Sequence, residues 1–184
     1  MSKLITESEV EELALKILKD LGYSIINGPD ISPDGNNEER TYQDVILVNR
    51  LRESINKLNP NIPKEAREEA IKKVIRTESQ NLTANNQHFH NMLVNGVNVE
   101  YRKGERIIND IVWLFDFKNI KNNEFLAINQ FTIIEEHNNR RPDILLFING
   151  IPLVIIELKN IADEEATIWS AFNQIKTYQT QIPS

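Results

Sequence analysis

The chain has 184 residues, 40% hydrophobic and 26% charged, which suits one domain or one domain with an insertion. It contains no cysteine, so disulfide scaffolds, Cys-ligated zinc and thiol nucleophiles are excluded. Lys and Arg number 21 against 27 Asp and Glu, a net charge of −6 spread evenly along the chain, and charge alone therefore argues against a high-affinity nucleic-acid binder.

No apolar run approaches the roughly 18 residues a membrane span needs. The opening MSKLITESEVEELALK has acidic residues where a signal peptide would have its apolar core, so a cytoplasmic location is expected. Thr6 and Glu9 make a capping box, and Val10, Leu13, Ala14, Ile17, Leu18 and Leu21 then mark one face of a first helix that Gly22 ends. Residues 27–40 are turn-rich and read as a surface loop. Val45, Val48, Leu51, Ile55 and Leu58 recur at helical spacing up to Pro60. Residues 64–76 read as a helix carrying Ala66, Ala70 and Val74, with Glu/Lys pairs across a solvated face, and LTANNQHFHNML reads as a further helix stopped near Gly96.

From there the period becomes strand-like. VNVEYR, RIINDIVWLFDF, EFLAINQFTII, DILLFI and PLVIIEL are short β-branched or aromatic runs broken by Gly or Asn, and a last helix spans about Asp163 to Tyr178. DILLFI and PLVIIEL are apolar at nearly every position, as strands covered on both faces are. Helices on both sides of the sheet make a three-layer α/β domain with a mixed central sheet, carrying a helical insertion over about 42–94. Trp113 and Trp169 are expected in the core. His88, His90 and His137 are not spaced for a zinc site and are expected at the surface.

Asp143 opens one buried strand and Glu157 closes the next, with Lys159 two residues on and Asn149-Gly150 as the hairpin turn between them. Glu157 and Lys159 share a face by alternation. A three-residue loop with a bulge puts Asp143 on that face too; a two-residue loop puts it on the other unless a bulge intervenes. The three-residue loop is expected here, because it assembles a chemical constellation. Asp143, Glu157 and the Leu158 carbonyl then offer hard oxygens suited to Mg²⁺, with Lys159 beside them to orient water or stabilise developing negative charge. The plainer alternative is a strand-end salt bridge. Asp116-Phe117-Lys118 repeats the triplet, but its nearest acidic partner on the same strand, Asp110, would lie ~20 Å away.

Arg140-Arg141-Pro142-Asp143, followed after 13 residues by Glu157-Leu158-Lys159, resembles the PD-(D/E)xK nuclease motif. Gln174 and Tyr178, four apart on the last helix, resemble the Gln-x-x-x-Tyr motif of one branch of these nucleases. Longer stretches, among them NQHFHNMLVNGVNVEYRKGE, RRPDILLFINGIPLVIIELKN and TESEVEELALKILKDLGY, are similar to type I restriction enzyme R subunits.

The resemblance implies a restriction-endonuclease-like fold. It also implies Mg²⁺-dependent cleavage of double-stranded DNA with little sequence preference, in a domain that precedes ATP-driven motor lobes. Asp143 and Glu157 become metal ligands with the Leu158 carbonyl, Lys159 the catalytic lysine, and Gln174 and Tyr178 accessory residues. Arg140 and Arg141 become DNA contacts. Such nucleases also use an acidic residue on the first helix, for which Glu11 fits best and Glu7 next. The family's partners are DNA, the motor lobes, and methylation and specificity subunits; no Gly-x-x-x-x-Gly-Lys stretch is present, so ATP is expected to bind only elsewhere in a longer subunit. A stand-alone repair or type III-like nuclease, and a non-catalytic docking module, are the competing readings.

Overall fold

The first helix, α1 (Glu7–Asp20), begins where Thr6 accepts from the Glu9 N–H and the Glu9 carboxylate accepts from the Thr6 N–H. It ends in a Schellman motif. Gly22, at φ +98°, donates to Lys19 O and Tyr23 donates to Leu18 O, which needs the left-handed conformation glycine tolerates. These coordinates are a computed structural model that describes residues 6–76, 81–159 and 167–181. The remaining elements are β1 (Ser24–Asn27), α2 (Val48–Leu58), α3 (Lys64–Ile75), α4 (Leu82–Asn95), β2 (Val97–Lys103), β3 (Arg106–Val112), β4 (Phe125–Asn129), β5 (Ile133–Glu135), β6 (Asn138–Arg140), β7 (Ile144–Ile148), β8 (Ile151–Ile156) and α5 (Ile168–Gln181).

The chain divides into two compact units: residues 1–45, 125–147 and 152–184, and residues 46–124 with 148–151. The first unit holds a sheet in the order β1-β4-β7-β8. β1 and β4 are parallel, with Ile25 against Ala127. β4 and β7 run antiparallel: Gln130 N–H donates to Asp143 O at one end, and Asn149 N–H to Glu124 O at the other. The sheet is therefore mixed. Ala14, Leu15 and Leu18 of α1 pack against Ile25, Ala127, Ile144, Leu146, Ile156 and Leu158. By alternation the intervening residues face away from α1, and there Lys159 bonds to a side chain of α5. Helix, sheet and helix give the three layers of a restriction-endonuclease-like fold.

Beside the sheet, Arg40 is 4% exposed and lies flat over Phe131. It donates to Asp44 O, Tyr42 O and Thr132 O, which pins the loop before α2. Burial lowers its pKa to about 10, so it stays charged.

The second unit packs α2, α3 and α4 with the β2–β3 hairpin around Leu51, Ile55, Ala70, Ile71, Val97, Val99, Val112 and Leu114. The hairpin is a two-stranded sheet of its own, not part of a longer meander. Gly150, at φ +80°, has a hydrogen where a Cβ would meet Leu47 O at 2.6 Å, so the tip of the β7–β8 hairpin can sit against the start of α2. Gly150 O accepts from Leu47 N–H there.

Several expectations change. β1 was not legible as a strand, and α2 starts at Val48, not Val45. RIINDIVWLFDF stays a strand only to Val112, and EFLAINQFTII is broken at Gln130, whose φ is +54°. Leu13, Ile17 and Leu21 of α1 are 58%, 51% and 71% exposed, because the helix turns its 11-14-15-18 stripe to the sheet instead. β8 is not covered on both faces: it is the last strand in the described order, and Leu153 and Val154 are exposed. Trp113 and Trp169 are exposed rather than core, the second standing edge-on to Phe172. The start of the last helix, with Asp163 and Ala166, lies outside the described residues.

Candidate active site

The hairpin turn is two residues, not three. β7 ends at Ile148 and β8 starts at Ile151, and Asn149 and Gly150 have φ +52° and +80°, the pair of positive angles a type I′ turn needs. In an unbroken ladder such a turn would set Asp143 and Glu157 on opposite faces. Instead Ile144 and Leu146 share the α1 cluster with Ile156 and Leu158, which leaves Asp143 and Glu157 together on the other face. The alternation is therefore broken once along β8. Adjacent Leu153 and Val154, exposed 39% and 47% where alternation would bury one, mark the place. The face expected from the sequence is reached by a different route.

At the open end of the hairpin, Asp143 Oδ2 accepts from the Leu158 N–H at 2.7 Å, tying the start of β7 to the segment that follows β8. Both carboxylate oxygens of Glu157 are buried, and neither accepts a hydrogen bond of good geometry. Burial pushes the Glu157 pKa up to about 7; the nearby Tyr178 hydroxyl pulls it down, the Asp143 charge pushes it up and Lys159 pulls it down. A buried carboxylate without donors costs stability unless a cation compensates it.

α5 faces this pair with residues at helical spacing. Lys159 Nζ donates to Gln174 Oε1 at 2.8 Å, and Gln174 Nε2 donates to the Tyr178 hydroxyl at 2.7 Å. Gln174 thereby fixes the ammonium and the phenol at once. Burial raises the Tyr178 pKa to about 12, with the Gln174 bond opposing and Glu157 adding, so the phenol keeps its proton. One turn further on, Gln181 Oε1 accepts from Arg140 Nε and Nη2, and Asn138 Nδ2 donates to Gln181 O. Arg140 is thus engaged within the chain, whereas Arg141 is exposed.

Glu11 lies on the α1 stripe with Ala14, Leu15 and Leu18, which is why it points to the sheet; Glu7 is exposed in the first turn. Asn129 Nδ2 donates to Glu11 Oε1 at 2.7 Å and Gln130 Nε2 to Oε2 at 2.8 Å, and Gln130 is also the residue bonded to Asp143 O. Among the described residues no three of His, Cys, Asp and Glu converge for a metal. Asn129, Gln130 and Gln181 were not singled out from the sequence. Two amides ending the apolar run FLAIN were the available signal.

The donor set fits Mg²⁺. Two carboxylates, one with both oxygens buried and unsatisfied, and the Leu158 backbone carbonyl are hard oxygen donors of the kind Mg²⁺ takes. The second Asp-x-Lys triplet is a loop motif instead: Asp116 accepts from Lys118 N–H, Asn119 N–H and Asn122 Nδ2, which lowers its pKa. It borders a cavity of about 430 Å³ with Leu58, Val94, Trp113 and Phe117, in the second unit and not in the one that holds Asp143. His88, His90 and His137 are exposed, as expected.

A family model described as the type I restriction enzyme R protein N terminus matches residues 5–184. The type I restriction enzyme HindI endonuclease subunit of Haemophilus influenzae is 38% identical over 97% of the chain and 17% of its own length. The putative MjaIXP endonuclease subunit of Methanocaldococcus jannaschii is 37% identical over 99% of the chain and 18% of its own length. A second protein of that organism, the putative MjaVIIIP endonuclease subunit, is 31% identical over 79% of the chain and 14% of its own length. The chain thus spans less than a fifth of the length of each of these three relatives.

Proposed function

Since the chain belongs to the type I restriction enzyme R protein N-terminal family, we propose that its 184 residues form the nuclease domain of a restriction endonuclease subunit. Helices α2–α4 stand as an insertion in it. The reaction is hydrolysis of double-stranded DNA phosphodiesters, with little sequence preference in this domain because no helix of the chain reads as a base-contacting element. The observation that carries this reading is the Glu157 carboxylate, buried with two unsatisfied oxygens beside Asp143 and Lys159.

Asp143, Glu157 and the Leu158 carbonyl would hold Mg²⁺. When bound, the ion supplies positive charge for a phosphoryl oxygen and makes a water more acidic. Lys159, held by Gln174, places its ammonium where negative charge builds as one P–O bond forms and another breaks. Tyr178 stays a neutral donor throughout. Arg141 is available to a DNA phosphate, and Arg140 becomes so by releasing Gln181.

The partners proposed are double-stranded DNA, ATP-driven motor lobes of the same subunit, and methylation and specificity subunits, in the cytoplasm. The exposed stripe Leu13–Ile17–Leu21 on α1 supports a docked neighbour of this kind. Among the described residues no helix is long and apolar enough to cross a membrane.

The test has two parts. Calorimetric titration of this chain with Mn²⁺ should show binding that Asp143→Asn removes. In the assembled restriction enzyme, Lys159→Ala should abolish DNA cleavage while ATP-driven translocation persists. Normal cutting by that variant would end the nuclease reading at this site.

A further inference from the structure

Charge is divided unequally between the two units. The unit holding Asp143, Glu157 and Lys159 has 8 Lys and Arg against 17 Asp and Glu, while the other has 13 against 10. A polyanionic substrate is repelled by the first, so attraction must come from cations elsewhere. Within the second unit several are already engaged: Arg50 pairs with Glu124, Arg52 with Glu68, and Lys73 with Glu69.

The tip of the β2–β3 hairpin differs. Arg102, Lys103 and Arg106 are all exposed, and among the described residues none has a hydrogen-bond or ion-pair partner for its side chain. Lys103 stands directly opposite Arg106 in the ladder, and Arg102 opposite exposed Ile107. Like charges in register oppose pairing of the strands, so stability alone would not place them there. The base of the ribbon is held by buried Val97, Val99 and Val112 and by Tyr101 donating to Asp110. Lys103 lies four residues beyond Val99, ~13 Å along the strand. The result is a narrow two-stranded ribbon with a fixed base and an end where three cations outnumber the one exposed carboxylate of the turn, Glu105, a shape that fits a duplex groove edge.

We propose that this tip, through Arg102, Lys103 and Arg106, grips the phosphate backbone of duplex DNA and holds it to a chain whose catalytic unit is acidic. The assignment rests on the nuclease reading for its ligand. Guanidinium and ammonium groups contact phosphates without regard to sequence, so the element adds affinity and no specificity.

The experiment is fluorescence anisotropy of this chain with a labelled random-sequence duplex over a salt series. The triple variant R102S/K103S/R106S should reduce the slope of log affinity against log salt by ~2–3, the value for three lost phosphate contacts. R102K/R106K should keep the slope. The triple variant should melt at or above the wild-type temperature, because repulsion at the tip is relieved, and should bind Mn²⁺ normally. An unchanged slope would overturn the assignment. So would loss of the slope in the charge-preserving variant, or a wild-type chain that binds polyglutamate but no duplex at low salt. These outcomes leave the nuclease reading standing, since that reading fails on Mn²⁺ binding that ignores Asp143 or on normal cutting by Lys159→Ala.

Discussion

Replacing Glu157 by Gln keeps the shape of the side chain and removes its charge, which isolates what burial of that carboxylate does to the fold. In metal-free buffer the folded chain holds the Glu157 proton up to about pH 7, whereas the unfolded chain releases it near 4.5. The folded state therefore binds more protons between those values, and stability falls as pH rises through that window. The contribution is fully present below pH 4.5 and gone above about 7. At about 1.4 kcal/mol per unit the shift would be worth ~3 kcal/mol for a fully desolvated group, and solvent screening at this half-buried side chain reduces it to ~1–2 kcal/mol. Urea unfolding at pH 5 and pH 8, with chelator present, measures it. Wild type should lose ~1–2 kcal/mol more than Glu157→Gln between the two pH values. Parallel stability curves for the two proteins would refute the reasoning, because the carboxylate would then not be held desolvated in the fold.

Gln174→Ala frees both Lys159 and Tyr178; DNA cleavage by the assembled enzyme should fall ~10–100-fold while Mn²⁺ binding to this chain is kept, and unchanged cleavage would remove Gln174 from the site. Asn149 is fully buried, donates to Leu114 O and Asn123 Oδ1, and accepts from Glu124 N–H. Asn149→Ala should destabilise the chain by ~2–4 kcal/mol in urea unfolding, from unpaired buried groups and a positive φ that alanine resists. Asn129→Ala with Gln130→Ala removes both donors to Glu11. If they act through that carboxylate, cleavage should fall to the level of Glu11→Ala, and combining all three changes should lower it no further. An additive loss in the triple variant would show independent roles.

Local chemistry made much of the molecule legible in the sequence. The Thr6–Glu9 box and Gly22 bound α1 through contacts three to five residues apart. Gly96, at φ +75°, ends α4, and Asn149-Gly150 makes the hairpin. Spacing of two along a strand paired Glu157 with Lys159 and spacing of four along a helix paired Gln174 with Tyr178, while the resemblance to the PD-(D/E)xK and Gln-x-x-x-Tyr motifs joined both pairs to Asp143. What escaped has longer-range causes. β1 is four residues whose partner, β4, lies about 100 residues away, so no local pattern announces it. The break in alternation along β8 depends on which side chains α1 covers, and so do the exposure of Leu13 and Ile17 and the inward turn of Glu11. The sequence by itself determined the helices, the β7–β8 hairpin, the caps and the residue types at the site, because these follow from neighbours along the chain. Only the tertiary structure decided that both Glu157 oxygens are buried and its pKa pushed up to about 7, because desolvation, the Tyr178 hydroxyl and the Asp143 charge act on it only once β7, β8 and α5 have met.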